Sequence, residues 1–71
     1  MDKWIKVKYP TEGYINNDEL KGKYAVILIT YQTKTGKRYV KAVNSDHGKL
    51  SGKINGISIA FMFLPEPFEE G

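Results

Sequence analysis

The chain contains no cysteine, one histidine and one arginine, and its longest apolar run, Ile59 to Pro65, is far too short to cross a bilayer. Without Cys, neither a disulfide nor a thiolate metal site is available. His47 alone makes no imidazole cluster, and Asn16-Asn17-Asp18-Glu19 lacks the alternating acids and fixed glycine of a calcium loop. No metal or other cofactor is expected. A spanning helix needs about 20 apolar residues, and Met1-Asp2-Lys3-Trp4 is not the basic-then-apolar start of an export signal. The prediction is a cytoplasmic protein with no membrane contact.

What the chain does have is aromatic mass: Trp4, five Tyr and three Phe among 71 residues. A domain this short buries only about 60% of its unfolded surface, and its core supplies about 3–5 kcal/mol. Large rings give the most buried area per residue, so aromatic packing, with self-association, is expected to hold the fold.

Period-two patterns dominate. Trp4 to Tyr9 alternates with Ile5, Val7 and Tyr9 on one face, until Pro10 removes a pairing amide. Thr11 to Gly22 shows no apolar period and reads as a loop, with Asn17 able to cap at most one short helical turn. Tyr24 to Tyr31 is continuously apolar and β-branched, which predicts a central strand covered on both faces. Thr33 to Arg38 supplies a polar turn with Gly36 free to take a positive φ, and Tyr39 to Val43 returns as the second strand of a hairpin. Asn44 to Gly48 reads as another turn, with a weak strand around Leu50–Ile54. Ile57 to Leu64 closes the set, with Ile57, Ile59, Phe61 and Phe63 on one side and Ser58 and Ala60 on the other. The predicted fold is mainly β: a small antiparallel meander of four to five strands, curled into a barrel or sandwich.

The net charge of +3 hides an asymmetry. Glu66, Glu69 and Glu70 fall in the last six residues, so residues 1–65 carry eleven bases against five acids. This predicts one β domain over 1–65 and an acidic, extended tail over 66–71. Lys34, Lys37, Arg38, Lys41, Lys49 and Lys53 face only Asp46 within their stretch, a local field that attracts anions. Lysines on edge strands also prevent unwanted pairing, which is the plainer use of the same residues.

Catalysis fails on inventory. A nucleophile needs an adjacent base, and Asp46-His47 sits in a turn with no third member. Gly48-x-x-x-Gly52-Lys53 departs from a phosphate loop: the glycines are one residue too close and Ile54 replaces the Mg²⁺-binding hydroxyl. A nest of backbone amides holding a phosphate without hydrolysis is what survives there. Around the predicted hairpin, Lys34, Lys37, Arg38 and Lys41 accompany Tyr31 and Tyr39, the pairing of cations and stacking rings used on single strands. Core or cross-strand packing is the plainer use of the two tyrosines.

Trp4-Ile5-x-Val7 at the start and Phe61-Met62-x-Leu64-Pro65-Glu66-Pro67 at the finish resemble a family of short phage and prophage proteins catalogued as domain of unknown function 551. Its members open with Trp-Ile-x-Val and close with a His-Trp-Met-Pro-Leu-Pro-Glu-Pro-like segment. Here Ala60 stands for the His, Phe61 for the Trp and Phe63 for the first Pro, and Tyr14–Lys23 is longer than the usual connection. The resemblance implies a phage origin and no known activity.

The leading functional expectation is a small phage-encoded, non-catalytic binding module directed at a host protein or defence component. The alternative is an anion-binding protein taking single-stranded nucleic acid or a small, cyclic or linear, nucleotide in a cationic groove built from Lys34, Lys37, Arg38, Lys41, Lys49 and Lys53 with Tyr31 and Tyr39.

Overall fold

Nine consecutive residues, Tyr24–Gln32, form the middle strand of a five-stranded antiparallel sheet in the computed structural model, which describes residues 3–64. The strands are β1 (Ile5–Lys6), β2 (Tyr24–Gln32), β3 (Arg38–Asp46), β4 (Lys49–Leu50) and β5 (Ile57–Phe63), in the spatial order β1-β5-β2-β3-β4. The mainly β prediction holds, and no helix occurs among the described residues. The sheet is open rather than closed into a barrel: β2, β3 and β4 run as a meander, and β5 crosses back to the other side of β2. The acidic tail predicted over 66–71 lies outside the described residues.

The β2–β3 hairpin is where the sequence directed it. Thr33 donates its amide to Lys37 at 2.9 Å, Gly36 to Thr33 at 2.9 Å, and Gly36 takes φ +88°. β3 then runs three residues past the predicted end, to Asp46, and the turn shrinks to His47-Gly48. Both have positive φ, +57° and +102°, the twist that suits a two-residue hairpin. Buried Ser45 steadies that turn by accepting a hydrogen bond from the Gly48 amide at 3.1 Å.

One face of the sheet carries the core: Ile27 and Ile29 of β2, Val43 of β3 and Phe61 of β5, all at most 5% exposed. Covering them is the irregular connection from Val7 to Lys23, which takes in the loop expected over Thr11–Gly22 and the end of the strand expected over Trp4–Tyr9. It leaves β1 at one edge of the sheet and reaches the other, where Tyr14 bridges Lys49 and Ile15 and Leu50 bond to Gly48 and Gly13 at 2.8 and 2.9 Å. A Cβ on Gly48 would sit 2.6 Å from the Ile15 carbonyl, so only glycine permits this approach. The connection returns through a turn, not a helical one, in which the Asn17 side chain accepts from the Glu19 amide at 2.8 Å. Along the way it buries Val7, Ile15 and Leu20.

Three expectations are corrected. β1 is only two residues long, and Tyr9 is 66% exposed rather than inward, because the chain leaves the sheet after the Val7 amide bonds to Ile59. β2 is covered on one face, not both: Tyr24, Val26 and Val40 of its neighbour are 65%, 45% and 60% exposed. In β5 the register shifts opposite Thr30/Tyr31, so Phe61 pairs with Ile29 but Ser58 with Tyr31. That bulge adds one residue and reverses the alternation: Ser58 joins the core face and Ile57 leaves it.

The Ser58 hydroxyl is buried and has no hydrogen-bond partner. An unpaired buried hydroxyl keeps its desolvation penalty of about 1–3 kcal/mol. Ser58→Ala is therefore expected to raise stability by about 1 kcal/mol, checked by urea unfolding; a lower midpoint would show that the hydroxyl finds a partner.

Candidate functional site

Alternation distributes the sequence-chosen residues over three places. Tyr31 and Tyr39 are directly opposed across β2 and β3, their rings 5.6 Å apart and tilted by 31°. Tyr31 is half-buried against the core, whereas Tyr39 is 46% exposed at the sheet's open end. Lys41 follows two residues on, shares their face, and donates from Nζ to the Lys53 carbonyl at 3.1 Å. Beneath the hairpin a shallow cleft of about 310 Å³ is lined by Thr33, Lys34, Thr35, Lys37, Tyr39 and Asn55. Lys34, Lys37, Lys41 and Tyr39 thus gather at one end of the core-side face, where the backbone of Lys53 meets Lys41.

Arg38 and Lys49 do not join them. Arg38 lies on the opposite face, its Nε donating to Gln32 Oε1 at 3.0 Å. Lys49 pairs with Asp46 at the far end of β3. In the Gly48–Lys53 loop three amides are already engaged: Gly48 donates to Ser45 Oγ, Leu50 to the Gly13 carbonyl and Ser51 to the Asn44 carbonyl. Its glycines serve turns. Asp46 and His47 contact each other, Oδ1 to Nδ1 at 2.6 Å, on exposed side chains with no further partner in the pair.

The second surface is hidden in the sequence because β2 reads as apolar throughout. On the face away from the core, Ala42, Leu28 and Met62 form one row across β3, β2 and β5, and Val40, Thr30 and Ala60 form the next. Tyr24 and Val26 continue the face toward the start of β2. Every described residue that enters the core packs on the other side, so these side chains face solvent or remain half-covered by one another.

The third place is the outer edge of β3. β4 pairs only with Ser45 and Asp46, and the Ser51 amide and Oγ bond to Asn44. Arg38 to Ala42, all exposed, extend beyond that cover.

No family model, curated protein or solved structure matches this chain. No helix among the described residues is long and apolar enough to cross a membrane.

Proposed function

We propose that this chain is a small, phage-encoded, non-catalytic module that acts by occupying a host protein or defence component. The observation that supports this most is the uncovered apolar sheet face of Val26, Leu28, Val40, Ala42 and Met62. Exposed contiguous apolar surface on a soluble domain marks a protein-interaction site. The phage setting comes from the resemblance at the two ends of the chain. The test is capture of the tagged protein from phage-infected host cells, followed by mass analysis, beside a Val26→Glu variant checked for folding. A stoichiometric host protein retained by the wild type and lost by Val26→Glu is expected. A partner retained equally by both, or none at all, rejects the face as the binding surface. A second copy of the chain is the competing occupant, and sedimentation distinguishes it from the 8.1 kDa monomer.

A second reading, anion binding, is favoured by Tyr39, Lys34 and Lys37 lining one cleft. Single-stranded nucleic acid or a nucleotide phosphate there would release counterions, so affinity should fall with salt with a logarithmic slope of about −0.7 per single-strand phosphate contact. Lys37→Glu should weaken all sequences alike. Titration with labelled oligonucleotides and cyclic and linear nucleotides at two salt concentrations decides it: no binding at low salt removes this reading.

A further inference from the structure

We propose that the free edge of β3, Arg38 to Ala42, accepts an extended partner segment as an added strand, and that this segment carries acidic residues at alternate positions. The inference rests on the reading of the chain as a binding module and names the kind of segment it binds.

The hydrogen-bonding parity of the hairpin fixes which groups are free. Thr33 and Lys37 form a bonded pair, and the register continues without a slip from Gln32↔Arg38 to Tyr24↔Asp46. Alternate residues Tyr39, Lys41 and Val43 therefore direct their amides and carbonyls at β2, and Arg38, Val40, Ala42 and Asn44 direct theirs at the other edge. Asn44 shows this: its carbonyl accepts from the Ser51 amide at 3.0 Å and its amide donates to Ser51 Oγ. Among the described residues, no backbone partner meets Arg38, Val40 or Ala42 on that side. Three alternate residues thus present an unpaired ladder, the template for strand addition.

Side-chain alternation gives the ladder a sequence preference. Residues opposed across a strand pair share a face and interact. On the core-side face the edge shows Tyr39 and Lys41, with Lys37 and Lys34 lining the cleft at Tyr39 and the Lys53 backbone bonded to Lys41. On the outer face it shows Val40 and Ala42, with Arg38 at the end. An incoming strand alternating carboxylates with aliphatic side chains would set acids against the lysines and apolar groups beside Val40 and Ala42. A second copy of β3 is disfavoured at the same edge, because antiparallel self-pairing would bring two sets of Lys37, Arg38 and Lys41 together.

The test follows amide exchange by NMR in the full chain, with acetyl-Glu-Val-Glu-Val-Glu-Val-Glu-amide as probe. Comparators are the same peptide with Lys for Glu and a block-ordered peptide of the same composition. Exchange at Val40 and Ala42 is expected to be fast in the free protein and to slow at least tenfold with the alternating acidic peptide only. Ala42→Pro removes one outward amide without touching the β2 ladder and should weaken binding tenfold or more. Ala42→Ser, which keeps the amide, should not. Equal binding by Ala42→Pro, equal binding of the lysine or block peptide, no binding, or protection of Val40 and Ala42 without peptide would each overturn the proposal. Capture of a host protein by the wild type and by Val26→Glu tests the broader reading separately. If the peptide fails while a captured host protein still depends on Val26, the edge assignment falls and the binding-module reading stands.

Discussion

Phe61→Ala is expected to unfold most molecules at room temperature. The ring is fully buried, on a strand between β1 and β2, with Ile5 opposite on one side and Ile29 on the other. It also meets Phe63 edge-on, the centroids 5.7 Å apart at 81°. Removing a buried Phe costs about 3–5 kcal/mol through lost transfer energy and the cavity left behind. That equals the whole stability expected of a domain this size, about 3–5 kcal/mol. Circular dichroism against urea should show no folded baseline for the variant. A cooperative transition near the wild-type midpoint would mean that the surrounding sheet closes over the gap, and would remove Phe61 as the keystone of the core.

Much of this architecture is local information and was legible in the chain. The hairpin at Thr33–Arg38 needs only a polar turn and a glycine between two β-branched runs, and it places Lys34, Lys37 and Tyr39 together without help from distant residues. Arg38 and Lys49 fell away from that group for equally local reasons: an odd step in a strand changes face, and Lys49 follows a turn that carries it to the other end of β3. The bulge in β5 was not legible, because no glycine or proline marks Ile59, and one inserted residue reverses every assignment before it. Nor does composition tell which face of a uniformly apolar strand its own chain will cover. Tyr24 to Tyr31 would read the same with both faces buried; the paths of the Val7–Lys23 connection and of the β4–β5 connection through Ile54 decide that Ile27 and Ile29 are inside and Val26 and Leu28 are presented outward. The candidate interface is thus a consequence of where an irregular segment lies.

That segment yields the other large effect. Leu20 has no periodic neighbours, yet it is fully buried, held in a turn by the bond from its amide to the Asn17 carbonyl at 3.0 Å. Packed in one cluster with Ile15, Val7, Ile27 and Phe61, it belongs to the irregular layer over the core face, to which Ile54 of the β4–β5 connection also adds. Leu20→Ala should cost about 2–5 kcal/mol, the range for a buried leucine. Tyr9→Ala, in the same connection but 66% exposed, should change stability by no more than about 0.5 kcal/mol. Urea unfolding of both variants beside the wild type measures the contrast. Equal, small effects would mean that the connection does not seal the core. A large loss confined to Leu20 would establish the irregular segment as the second layer of the fold, and the face opposite it as the one left free for a partner.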